Sequence, residues 1–334
     1  MFKQELCDIC GDCLVECQWI EATRDQSIKW MKDMIAGQQS TVLEQCITCF
    51  ACNEICPQNA NPFDLIASLQ EKYHTFLPQE IAEAEEAKYV FSHELKDYPL
   101  ADQVMTTCAF QKTHDHLLHG ELYNLPRVDG KPYNCWMLFS HWGAQNIHQR
   151  HIAKLVERLA MTGAKEVVCF HDDCYATLAT LAPELEIEVP FRPVHLSEYL
   201  VKYLHANKKR IKSLDIDIAY QRPCASRYTP EKEHFVDELF ELAGVRRVGR
   251  THDRKNAMCC ASIQLLLGNG DPKPAQKKNV LDAKNNGAQA LVCLCPMCSN
   301  NLSEVATAHD MPLVFLGDIA RMALGEIEVP ITNR

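Results

Sequence analysis

GAKEVVCFHDDC at residues 163–174 and GAQALVCLCPMC at 287–298 are one stretch written twice, at an offset of 124 residues. Each opens on a glycine that closes a helical pattern and then enters an apolar run, EVVCF at 166–170 and ALVCL at 290–294. Ile152, Leu155, Val156 and Leu159 precede the first at helical spacing, and Val280 and Leu281 precede the second. A helix followed by a short buried strand is half of a βα unit. VHLSEYL at 194–200 matches VFLGDIA at 314–320, so the repeat continues past the strand. The expected fold is α/β, with two duplicated units built on mostly parallel sheets and ligands gathered on the loops beyond the strand ends.

The cysteines give these loops a chemistry. The chain has 18 of them in 334 residues, far more than a cytosolic core uses. No apolar run approaches the length of a membrane helix, and Cys7 arrives before a signal-peptide hydrophobic region could form. The expectation is therefore a cytoplasmic protein whose thiols are reduced and hold metal, reaching a membrane only through a partner. A net charge of −10, from 34 Lys and Arg against 44 Asp and Glu, argues against nucleic acid as a partner. An apolar content of 47% is ample for two or three cores.

Cys7, Cys10, Cys13 and Cys17 form C-x2-C-x2-C-x3-C, and Cys46, Cys49, Cys52 and Cys56 repeat it, with Pro57 following. This resembles the duplicated run of bacterial two-cluster ferredoxins, in which the fourth cysteine of each run serves the other cluster. The resemblance implies two 4Fe-4S clusters, one on Cys7, Cys10, Cys13 and Cys56 and the other on Cys46, Cys49, Cys52 and Cys17. Gln18 stands where that family has proline. A pair of zinc ribbons is the other metal reading, although these need only four ligands each, commonly as separated C-x2-C pairs. Ile28, Met31, Met34 and Ile35 between the runs are spaced for a helix. The long helical insert resembles the α-helical ferredoxin domain found in the iron–sulfur proteins of succinate dehydrogenase and heterodisulfide reductase type. The expected organisation is this domain at 1–75, a linker helix at 76–99 with a solvated acidic run, a first unit at 100–205 and a second at 206–334.

In the second unit Cys224, the tandem Cys259 and Cys260, and Cys295 with Cys298 are separated by 34 residues on each side. With AYQRPC at 219–224 and LVCLCPMCSNNL at 291–302, this resembles the cysteine-rich CCG domain of the heterodisulfide reductase family and of related dehydrogenase iron–sulfur proteins. In that family the five cysteines hold a non-cubane 4Fe-4S cluster at a disulfide-cleaving site. Two details depart: the second spacer is one residue short, and Ala261 replaces the glycine after the tandem pair, where a positive φ would strain it. Adjacent residues point their side chains apart, which suits a distorted cluster better than a tetrahedral zinc, the other reading of these thiols.

The first unit keeps fewer thiols. By position in the repeat, Cys108 answers Cys224, His141-Trp142-Gly143 stands for the tandem motif, and His171 with Cys174 stands for the last pair. Cys108, His141, His171 and Cys174 could form a mixed zinc site or hold an unusual cluster with imidazole ligation. Cys169 and Cys293 sit at equivalent strand positions as core thiols, and Cys135 carries no spacing signal.

No flavin or nicotinamide fingerprint is present, so two-electron cofactor chemistry is expected on other redox subunits: a flavoprotein, a hydrogenase- or formate dehydrogenase-like protein, or a membrane subunit. The resemblance implies an oxidoreductase subunit that passes electrons from ferredoxin clusters to the five-cysteine site and a disulfide substrate. Two alternatives use the same residues. One is a pure electron-transfer subunit of a hydroxyacid dehydrogenase, electron-transfer flavoprotein or benzoyl-CoA reductase-like complex, and the other is a ferredoxin carried on a zinc-bound docking module.

Overall fold

The computed structural model describes residues 1–268 and 270–328; the last six positions of the segment 206–334 lie outside it. The fold is α/β. Strands β1 (Gln103–Cys108), β2 (Arg127–Asp129), β3 (Glu166–Cys169) and β4 (Arg192–His195) form one sheet in the order β2-β1-β3-β4. Strands β5 (Ile216–Gln221), β6 (Val245–Arg247), β7 (Ala290–Cys293) and β8 (Leu313–Phe315) form a second in the order β6-β5-β7-β8. Both sheets are entirely parallel. Thr106 pairs with Cys169 in the first and Gln221 with Cys293 in the second, so the duplication read from sequence is carried in the hydrogen-bond register. Val168, Phe170, Tyr220, Val292 and Phe315 belong to one core shared by the two sheets. Buried Asp172 of the first unit pairs with Lys232 of the second and with His195 at 3.1 Å, so the contact is polar as well as apolar.

The first 75 residues contain helices and no strand among the described residues. The helix Arg24–Ile35 starts in a capping box, Thr23 with Gln26, and buries Ser27, Met31 and Met34 along one stripe. Ser27 donates to the Gly11 carbonyl at 2.5 Å, and a Cβ on Gly11 would stand 2.8 Å from the Ser27 hydroxyl, so the insert packs closely on the first cysteine run. The helix Gln79–Tyr89 follows, and residues 90–99 have no regular structure. Its acidic run is not purely solvated: Glu86 accepts from Arg150 and from His151 at 2.6 Å. Buried Asp64 ties the three parts together by accepting from Asn53, Gln145 and Tyr228.

Candidate functional site

Parallel strands deliver their following loops to one edge, and the five cysteines of the second unit lie on those loops. Cys224 opens the turn Cys224–Tyr228 just beyond β5, and Cys295 is the N-cap of the helix Pro296–Ala308 just beyond β7, with Cys298 in its first turn. Cys259 and Cys260 precede the helix Ser262–Leu267, whose N-cap Ala261 has φ 57°. A buried polar relay fixes this loop. Arg250 donates to Asn279 at 2.9 Å, Asn279 to Gln221 at 2.7 Å, and Gln221 to the Met258 carbonyl at 2.8 Å. The Cys224 and Cys259 sulfurs are 3.3 Å apart, and the Ala261 amide points at Cys259 Sγ from 3.3 Å.

Ala261 therefore occupies the left-handed region that the sequence flagged, where a Cβ costs about 1–2 kcal/mol. Ala261→Gly is expected to stabilise the protein by about 1 kcal/mol. Chemical denaturation of the two holoproteins side by side checks this, and an unchanged or lower midpoint would count against strain at that position.

The eight cysteines of the two N-terminal runs fall into two neighbourhoods. Burial, then the charges of Cys56, Cys10 and Cys7, raise the Cys13 thiol. Burial, then Cys46, Cys13, Cys49 and Cys17, raise Cys52 well above the usual thiol range, and burial pushes Cys46 up to about 12. Thiols packed this closely ionise together only opposite a cation, and backbone amides already point at two of the sulfurs, Thr48 at Cys46 and Ala60 at Cys56, each from 3.4 Å. This donor set fits a thiolate-ligated metal cluster.

The inner neighbourhood abuts the second unit. Cys49 and Trp19 pack with Ile47, Cys224, Cys259 and Ala261 in one buried cluster, and Cys49 feels the charge of Cys224. Glu54, on the helix Ala51–Ile55, locks this contact by accepting from Arg222 at 2.5 Å and Arg227 at 2.6 Å. Burial works to raise the Glu54 carboxyl, but the two guanidiniums hold it below its usual range. Neither arginine carries a spacing signal in the sequence, because the partners lie 168 and 173 residues away.

In the first unit the structure gathers Cys108, Cys135 and Cys174, all buried, with their sulfurs within 4.8 Å of one another. His141 and His171 lie outside this trio. His141 sits at the end of the helix Met137–His141, with Nδ1 3.1 Å from the Thr48 carbonyl and its ring stacked on Phe50. It joins the first unit to the helical N-terminal part. The residue matching Cys260 is Cys135, because Trp136 (φ 64°) caps its helix as Ala261 (φ 57°) caps Ser262–Leu267. His141-Trp142-Gly143 lies a helix later than the tandem motif it was aligned with.

His171 is the N-cap equivalent of Cys295 and faces it across the two units. Burial opposes charge on His171, yet Asp173 and Cys295 raise it to about 10. A bond from Cys298, and then the charge of His171, lower Cys295 to about 6. One cavity of about 360 Å³ opens between the units and is reached by Cys108 and Cys135 on one side and Cys224, Cys260, Cys295 and Cys298 on the other.

No protein-family model matches the chain. Over 163 residues, 45% of the chain, it is 29% identical to one of the proteins that make up the dihydromethanophenazine:CoB–CoM heterodisulfide reductase of Methanosarcina barkeri, and the matched stretch spans 38% of that protein. Among solved structures it is similar to a hypothetical protein from Helicobacter pylori, with a TM-score of 0.61, 14% identity, and coverage of 90% of this chain and 67% of that one. The second likeness shows the fold alone. No helix among the described residues is long and apolar enough to cross a membrane.

Proposed function

We propose that this chain is an iron–sulfur oxidoreductase subunit that moves single electrons from ferredoxin-type clusters to the five-cysteine site, where a disulfide is reduced. One observation carries the reading: Cys49 of the inner ferredoxin set packs in the same buried cluster as Cys224 and Cys259 of the five-cysteine set. Cys7, Cys10, Cys13 and Cys56 would hold the outer cluster, Cys17, Cys46, Cys49 and Cys52 the inner one, and Cys224, Cys259, Cys260, Cys295 and Cys298 a non-cubane cluster. Such clusters, when bound, supply one-electron transfer at potentials set by burial and by hydrogen bonds to sulfur. The protein residues fix the order. Half-exposed Cys7 and Cys10 face a donor partner, buried Ile47 and partly buried Trp19 keep water from the inner junction, and the Gln221–Asn279–Arg250 relay holds the tandem cysteines. The overall conversion is R–S–S–R′ with two electrons and two protons to RSH and R′SH, the electrons arriving singly from another redox subunit. The name of the Methanosarcina relative supports disulfide chemistry, and the reading puts the donor's two-electron cofactor on a partner.

In the first unit, Cys108, Cys135 and Cys174 offer three thiolates to a metal, a set that zinc accepts with a fourth ligand. Cys135→Ser is then expected to remove about one zinc per chain while leaving iron unchanged. Metal analysis of the anaerobically purified variant decides it, and zinc at the wild-type level would exclude Cys135 as a ligand.

A further inference from the structure

We infer that His171 of the first unit serves the five-cysteine site of the second, donating a hydrogen bond from Nε2–H to the Cys295 sulfur when metal is bound. This role rests on the cluster proposed above for the five cysteines and adds a residue that sets its potential. His171 holds the N-cap position that Cys295 holds in the other copy of the repeat, so a thiol position of one unit has become a nitrogen donor turned toward the other. Its Nε2 is buried with no hydrogen-bond partner among the described residues, the ring lines the cavity shared with Cys260, Cys295 and Cys298, and the side chain it faces across the units is Cys295. A native interior seldom leaves such an atom unused. The three sulfurs of the first unit gather without it.

The ring is held for this contact. Phe110 packs on it with ring centroids 4.9 Å apart. The Asp173 amide points at Nδ1 from 3.4 Å, which puts the proton of the neutral ring on Nε2. A doubly protonated ring turns its second proton toward the Asp173 carboxylate, also 3.4 Å from Nδ1, and keeps the one on Nε2. The donor is therefore present in both states of the ring. Asp172, the next residue, is buried and pinned by Lys232 of the second unit and by His195 at 3.1 Å, so His171 is fixed relative to Cys295. A hydrogen bond to a thiolate ligand favours the more negative, reduced state of a cluster and so raises its potential.

The test is a redox titration of anaerobic holoproteins followed by EPR, with the ferredoxin-type signals of the same sample as internal reference. In His171→Leu, which fills the space without a donor, the ratio of reduced to oxidised five-cysteine site at a fixed poise is expected to fall about 10-fold, a potential lower by about 59 mV. The reference potentials should not move, and His171→Gln, which restores a side-chain N–H, should recover most of the loss. An unchanged potential in His171→Leu, or equal shifts in all clusters, overturns the inference and leaves the proposed function intact. Pulsed EPR with isotope-labelled histidine reads the contact without the leucine variant, should that one lose iron. Wild type is then expected to show a weak nitrogen coupling and an exchangeable proton on the five-cysteine signal, the nitrogen coupling being lost in His171→Gln. Absence of that coupling, or the strong coupling of an iron-bound imidazole, overturns the donor role. Wild type with only ferredoxin-type signals and about 8 iron atoms removes the proposed function and this role together.

Discussion

Cys259→Ser is expected to lower iron from about 12 to about 8 atoms per chain and to abolish any EPR signal that depends on adding a thiol to the oxidised protein. Cys259 stands at the junction of the two systems: its sulfur is 3.3 Å from Cys224, and it packs against Cys49 of the inner ferredoxin set. Removing one thiolate from a site of five adjacent cysteines leaves the others buried, close together and short of a ligand. The eight ferredoxin-type cysteines do not include Cys259, so their iron should remain. Iron, zinc and acid-labile sulfide are measured on wild type and variant purified in parallel. Wild-type iron of only about 8 atoms, with zinc beyond the one expected on the first unit, would make the second unit a docking module and remove the catalytic role.

The second large effect is expected from Glu54→Gln. The carboxylate accepts from two arginines whose side chains are 2% and 4% exposed. Arg222 keeps Glu233 at 3.0 Å, whereas Arg227 is left with the Lys255 and Ala257 carbonyls. Breaking a buried pair costs about 3–5 kcal/mol, and the surviving Glu233 places this case near the lower figure, about 3 kcal/mol. Because Glu54 lies between Cys52 and Cys56 while Arg222 lies two residues before Cys224, the variant should also slow electron passage between the two metal sites. Thermal denaturation reads the first effect and freeze-quenched EPR after rapid reduction reads the second. A destabilised protein with an unchanged transfer rate would reduce Glu54 to a structural clamp.

Much of this architecture is legible in the sequence because it is written at fixed spacing. The 124-residue repeat places β3 and β7, and the 34-residue spacers place the five cysteines on loops of one unit. The first unit misleads for a physical reason. The position before the helix that follows the tandem motif needs a positive φ, which is ordinarily marked by glycine. Here both copies fill it with other residues, Trp136 at 64° and Ala261 at 57°, while Gly143, at 64°, lies beyond the end of the next helix and attracts the alignment. Counting from the helix start rather than from the glycine matches Cys135 to Cys260. The Glu54 clamp has no such signal, since a contact across 168 residues leaves no periodicity.

The most direct measurement is stopped-flow reoxidation of the dithionite-reduced, desalted holoprotein by an uncharged aryl disulfide under anaerobic conditions. The predicted result is recovery of the visible cluster absorbance that reduction bleaches, together with two thiols formed per disulfide consumed, both suppressed in Cys259→Ser. Clusters that stay reduced in the presence of disulfide, yet are reoxidised at once by an artificial one-electron acceptor, would contradict disulfide reduction at the five-cysteine site and leave the chain as an electron conduit alone.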